Sequence, residues 1–164
     1  MRKLVLTAAA LAAATSAAFP AAAPGAKPVK ATFDVVVEQT ITGICPFPLE
    51  IRSAIRGHSL DFFDRDGRLL RATVHVTEQD TFRANGKTLV GEPFTFNVFF
   101  TFDESGEATA VLARGVAEKI RLPNGKLFLS AGVIDFLAQG VDFSFEVDQG
   151  TTGDVDAFCA ALSP

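Results

Sequence analysis

The chain has 164 residues, with 15 basic and 19 acidic side chains for a net charge of −4, and it holds 16 Phe but no Tyr or Trp. An acidic balance without a clustered basic run argues against nucleic acid or an anionic membrane surface as partner, since both repel like charge. The length suffices for one domain with a real core and is short for two. Met1, Arg2 and Lys3 open the chain, and no side chain from Leu4 to Ala18 is charged. A basic start followed by about 15 apolar and small residues predicts a secretory signal peptide over residues 1–18, with cleavage after Ala18 or at a site up to Ala26. A membrane-crossing helix needs about 20 apolar residues, and Pro20 and Pro24 close this run too early, so no membrane span is expected. Loss of Arg2 and Lys3 with the signal would leave 13 basic against 19 acidic side chains, a charge of −6. Residues 19–31, rich in Ala, Pro and Lys, read as a flexible leader, and residues 32–164 as a single β domain.

From Thr32 onward apolar residues recur at every second position, the spacing of strands with one buried face. Phe33, Val35 and Val37 alternate with Asp34 and Glu38, and Leu70, Ala72, Val74 and Val76 alternate with Arg71, Thr73, His75 and Thr77. The run from Phe94 through Phe96, Val98, Phe100 and Phe102 does the same, as do Val141, Phe143, Phe145 and Val147. Between such runs sit Asp66-Gly67, Asn85-Gly86, Ser105-Gly106, Asn124-Gly125 and Gln139-Gly140, pairs that supply the positive φ angles of tight turns. The fold class is therefore all-β, an antiparallel meander of about seven strands at residues 32–42, 49–63, 68–82, 88–103, 107–122, 126–138 and 141–149. Curling into a closed or nearly closed barrel would remove the exposed edges, so a barrel is preferred to a two-layer sandwich. Gly115 and Gly132 mark places for a bulge or bend. In the tail the period changes: Asp154 can cap a short helix whose Val155, Phe158, Cys159 and Leu162 share one face.

Cys45 and Cys159 are the only cysteines. Outside the cell nothing keeps thiols reduced, so a disulfide between them is expected, with Cα atoms about 5.5 Å apart. Closing so long a loop stabilises the fold by roughly 4 to 5 kcal/mol in the chain-entropy description.

Few constellations suggest chemistry. Gly57-His58-Ser59-Leu60 begins like the nucleophile elbow of hydrolases, but Asp61 stands where its last Gly belongs and the surroundings read as a strand hairpin. Asp64-Arg65-Asp66-Gly67 resembles part of a calcium loop, yet the first ligand position would be Phe62 and the twelfth Thr73, so the match fails. A two-residue loop at Asp66-Gly67 would make His58 and His75 direct cross-strand neighbours beside Arg56 and Thr77, and Phe63 the neighbour of Leu70. Two imidazoles without a third ligand make a weak zinc site, and no metal or other cofactor is expected. Asp135 lies in the apolar run Val133 to Leu137, a setting that can raise a carboxyl pKa, although alternation points it outward. Arg114 and Glu118 are candidate partners for it across the sheet.

Cys45-Pro46-Phe47-Pro48, Asp66-Gly67-Arg68, Asn85-Gly86-Lys87 and the closing Asp156-Ala157-Phe158-Cys159-Ala160-Ala161-Leu162 together resemble a group of small secreted actinobacterial proteins of unknown function. That resemblance implies export and a paired-cysteine β domain, and it brings no catalytic residue. The function expected is non-enzymatic extracellular binding of a small apolar ligand, in a cavity lined by Phe94, Phe96, Phe100, Phe143 and Phe145, or of a protein partner. One alternative is an enzyme on a lipocalin-like or cyclase-like barrel, using His58, His75 and Asp135. Another is an inhibitor or adaptor presenting Phe47, stiffened by its flanking prolines and the disulfide, as an exposed anchor.

Overall fold

The computed structural model describes residues 27–140 and 143–164. The expected signal peptide, most of the leader, and Val141 and Asp142 of the seventh expected strand lie outside the described residues. Alternating side chains build eight strands: β1 (Val29–Ile41), β2 (Leu49–Phe63), β3 (Leu69–Ala84), β4 (Lys87–Val90), β5 (Phe94–Phe102), β6 (Ala108–Arg121), β7 (Leu127–Asp135) and β8 (Gln149–Thr151). They form one antiparallel sheet in the order β1-β2-β3-β5-β6-β7-β8, with β4 also paired to β3. β1 begins at Val29, inside the segment read as leader. The ladder ends at β1 on one side and β8 on the other, and the two ends are not paired with each other among the described residues.

Three departures from the expected meander have identifiable causes. The fourth expected strand breaks into β4 and β5 around Gly91 to Pro93, because proline has no N–H to give a ladder. There the chain steps between neighbours: the Gly91 N–H donates to the Asp80 carbonyl at 2.8 Å, and the Glu92 N–H donates to the Lys119 carbonyl at 2.7 Å. The sixth expected strand, observed as β7, stops at Asp135, whose carboxylate accepts from the Ala138 N–H at 3.0 Å and so starts α1 (Phe136–Gln139). Gly140, in the left-handed conformation at φ 65°, closes that helix, so Gln139-Gly140 is a helix end rather than a hairpin turn. Of the seventh expected strand, residues 143–148 form no ladder, and only its last residue, Gln149, pairs with β7 as the start of β8. Its phenylalanines are instead driven inward, where Phe145 packs edge-to-face against Phe82, Phe128 and Phe158 at centroid distances of 5.7, 4.9 and 4.9 Å.

β2 and β3 pair in the register that sets His58 opposite His75. The connection is not the two-residue loop that predicted it. A bulge after Phe62 puts Phe63 opposite Leu69, not Leu70, and a longer loop closes with the Asp64 N–H donating to the Arg68 carbonyl at 2.9 Å. The added loop residue and the bulge compensate, so the body of the hairpin keeps the same pairing. Leu70 is consequently exposed.

A second irregularity, between Val116 and Glu118 on β6, sits next to Gly115, which faces Gly132 across the β6–β7 pair. Both glycines have φ angles, +137° and +154°, that side-chain-bearing residues rarely adopt. The extra residue reverses the phase of β6: Val111 and Ala113 are buried before it, Glu118 and Ile120 after it.

The interior divides in two. At one end a solid core joins Leu49, Ile51, Phe82, Ile120, Phe128, Phe145 and Phe158 to the disulfide. Cys45 and Cys159 are bonded with Cα atoms 5.5 Å apart, tying the start of β2 to α2 (Val155–Leu162). The Asp154 side chain caps that helix, accepting from the Ala157 N–H at 2.9 Å, and Phe158, Cys159 and Leu162 face the core. At the other end Ile55, Val74, Val76, Val98, Val111, Ala113 and Ile134 form a second cluster that does not close on itself.

Candidate functional site

That open cluster is the wall of a cavity of about 320 Å³. Inward positions of consecutive strands supply the lining: Phe33, Val35 and Val37 from β1, Ile55 from β2, Val74 and Val76 from β3, Phe96, Val98 and Phe100 from β5, Val111 and Ala113 from β6, and Ile134 from β7. Phe136 of α1 and Phe143 border it too. Residues of β1 and β7, far apart along the ladder, line the same space, so the sheet is strongly curled around it.

Polar groups occur on the side facing the solid core: Gln39, Ser53, Glu78 and Asp80. The register explains their grouping, because Ser53 pairs with Asp80 and Val37 with Ser53, while Ile55 pairs with Glu78. Behind them stands Glu118, fully buried, its Oε1 accepting from the Lys119 N–H at 2.8 Å. Gly91 gives it room, since a Cβ there would lie 2.8 Å from Glu118 Oε1 and 3.2 Å from the Asp80 carbonyl oxygen. Ser53, Glu78 and Glu118 all interact with Asp80, yet neither Asp80 carboxyl oxygen nor Glu118 Oε2 is held in a hydrogen bond of good geometry.

Burial sets the protonation of this trio. Loss of water pushes Glu78 up to about 9, with the charge of Asp80 adding to it. The same two causes push Glu118 up to about 10. Asp80 is raised as well by desolvation, held back by its contacts with Ser53, Glu118 and Glu78. Three adjacent carboxyls in an apolar interior cannot all ionise, so at neutral pH the two glutamates keep protons and any charge rests on Asp80. An acid cluster at the inner end of a mainly apolar cavity, with no ion pair to it among the described residues, can donate hydrogen bonds from its carboxylic acids or stabilise a positive charge placed against them.

The residues singled out from the sequence fall in several places. Phe96, Phe100 and Phe143 line the cavity. Phe94 and Phe145 are buried but do not line it, and Phe145 belongs to the solid core. His58 and His75 are neighbours, ring centroids 5.5 Å apart, but they point to the outer face of the sheet, where His75 Nδ1 lies 3.0 Å from Asn97 Oδ1. Among the described residues no group of three His, Cys, Asp or Glu side chains is arranged to hold a metal ion. Asp135 is occupied as the cap of α1, and its own N–H donates to Asp148 Oδ2 at 2.6 Å. Arg114 borders the cavity, but its guanidinium lies over the outward ring of Phe99, 5.5 Å from the centroid. The structure therefore brings the two histidines together and leaves Asp135 and Arg114 apart from them. Phe47 is half-buried against the solid core rather than free as an anchor.

Sequence reasoning missed Ser53, Glu78 and Asp80, although the signal was there: the even-numbered period of β3 runs on through 78 and 80 to the buried Phe82. Glu118 had no such signal, because only the bulge brings it inward. No family model, curated protein or solved structure matches the chain. Fold and site together define the class as an all-β antiparallel sheet with short helices and one disulfide, curled around an apolar cavity.

Proposed function

We propose that the chain is an exported, non-enzymatic binding protein that takes up one small, mainly apolar molecule inside its curled sheet. The observation that carries this reading is the apolar cavity of about 320 Å³. Small-molecule sites run from roughly 300 to 1,000 Å³ and combine apolar walls with a few convergent polar groups, which is the composition found here. A filled interior, with less than about 100 Å³ left open, would have made a carrier role untenable. A sheet whose first and seventh strands border one space supports a cup close to barrel closure. The disulfide suits an oxidising compartment, and no helix among the described residues is long and apolar enough to cross a membrane. An enzyme relying on His58, His75 and Asp135 finds no support, since none of the three borders the cavity.

Titration with N-phenyl-1-naphthylamine, an uncharged dye that brightens in apolar surroundings, tests the proposal. The wild-type chain should show saturable uptake with one site, and Ala113→Phe, which projects a ring into the cavity, should weaken it at least about tenfold while the circular dichroism stays that of the wild type. Absence of saturable uptake by the wild type, or unchanged uptake by Ala113→Phe, would overturn it.

A further inference from the structure

Resting on the cavity reading above, we propose that the ligand is an amphiphile with a protonated amine at one end, its ammonium docked on Asp80, Glu78 and Ser53 and its hydrocarbon along the Phe- and Val-lined wall. Two independent observations meet here. One is the cavity itself, mainly apolar, with Gln39, Ser53, Glu78 and Asp80 grouped at its inner end and Arg114 and Ser144 as its other polar lining residues. The other is that Asp80, only 1% exposed, lines that end with both carboxyl oxygens lacking a well-formed hydrogen bond, and Glu118 Oε2 just behind it is likewise orphaned. A buried carboxylate whose only neighbouring donors, Ser53 and the two carboxylic acids, reach it in poor geometry is costly and rare in native interiors. An ammonium offers three N–H donors and a positive charge in one compact group, which answers both deficits at once.

The groups facing the cluster point the same way. β1 contributes Gln39, β2 Ser53, β6 Glu118 and β7 the buried Ser130, whose hydroxyl already accepts from the Gly153 N–H at 3.0 Å. Among the described residues no Lys, Arg or His forms an ion pair with Glu78, Asp80 or Glu118; the ion pairs present lie at the surface, as with Glu92 and Lys119. An anionic head group at this end would meet like charge, and the one basic residue bordering the cavity, Arg114, carries its guanidinium over the outward ring of Phe99 instead. A neutral alcohol or ether would accept a hydrogen bond from a carboxylic acid but leave the charge on Asp80 unmatched.

The experiment uses octylamine, octanol and octanoate, matched in length, as competitors for the dye bound to the purified chain. At pH 7 octylamine should compete at least about tenfold more strongly than octanol, with octanoate weakest. As the pH rises from 6 to 9 the cluster ionises while an alkylamine stays charged, so the amine's advantage should grow. Asp80→Asn, verified to retain the wild-type circular dichroism, should bring the amine-to-alcohol ratio close to one while octanol still competes; Glu78→Gln, neutral at pH 7 like the acid it replaces, should keep most of the ratio but flatten its growth with pH. A wild-type ratio near one, a preference for octanoate, or an advantage that shrinks with rising pH would overturn the inference, as would a ratio preserved in Asp80→Asn. The wild-type pH profile decides the matter even where a variant fails to fold. Competition by octanol without an amine preference would sink this inference alone, whereas failure of the dye and of all three competitors to bind would sink the cavity reading with it.

Discussion

Raising the pH from 6 to 8 should weaken this fold, opposite to the behaviour of proteins stabilised by ionised carboxylates. The sign comes from counting protons. In the folded chain Glu78 and Glu118 hold their protons up to about 9 and about 10, whereas in the unfolded chain both release them near 4.5. Between those limits the unfolded state binds fewer protons, so unfolding gains on folding as the pH rises; the stabilisation is complete below about 4.5 and is lost as the pH climbs toward the folded-state values. Each such proton is worth about 1.4 kcal/mol per pH unit, so two set an upper limit of roughly 3 kcal/mol per unit. Glu78 borders the cavity and is partly open to water, and the groups are coupled, so about 2 to 4 kcal/mol over two pH units is the expected loss. That is a substantial share of the roughly 5 to 15 kcal/mol that holds a domain together, and corresponds to a fall in Tm on the order of 10 °C. Asp64, Glu92, Asp103 and Asp148, whose carboxyls are lowered chiefly by hydrogen bonds, act in the opposite sense, but their effect is complete above about 4.5 and leaves the window clean. Scanning calorimetry from pH 6 to 8 measures the slope, and Glu78→Gln with Glu118→Gln should flatten it. A wild-type Tm that stays level or rises across that interval would refute the account of the acid cluster.

Two further outcomes follow from the architecture. Replacing Cys45 and Cys159 by Ser removes the link that closes a 114-residue separation and should cost about 4 kcal/mol, read as a Tm lower by about 10 to 20 °C in calorimetry; a change under about 2 °C would show that the solid core holds the C-terminal helix without it. His58→Ala with His75→Ala, on the outer face of the sheet, should leave dye uptake unchanged and shift stability by less than about 1 kcal/mol, each site contributing no more than about half of that; loss of uptake would place the pair in the binding mechanism after all.

How much of this was legible beforehand depends on the range of the interaction involved. Alternation along β1, β3 and β5 is a local consequence of one dry face and one wet face, and it could be followed residue by residue. The pairing of His58 with His75 was legible for a subtler reason, since the bulge after Phe62 and the longer loop cancel each other. The disulfide could be inferred by elimination, because two cysteines in a chain expected to be exported have only each other. The alternation of Phe143, Phe145 and Val147 misled, because period two is also what a segment shows when its aromatic rings plug a core without a neighbouring strand.

The amino-acid order by itself determined the all-β class, the turns at Asn85-Gly86 and Asn124-Gly125, and the capped helix after Asp154, because each rests on contacts between residues close in the chain. Only the tertiary structure decided that Ser53, Glu78, Asp80 and Glu118 converge. Their meeting requires the register of β2 on β3 and the phase reversal on β6, together with a glycine at position 91 that leaves space for a carboxylate, and these act between residues up to 65 positions apart in the chain. Burial of an acid is a property of everything packed around it, and no local pattern encodes that.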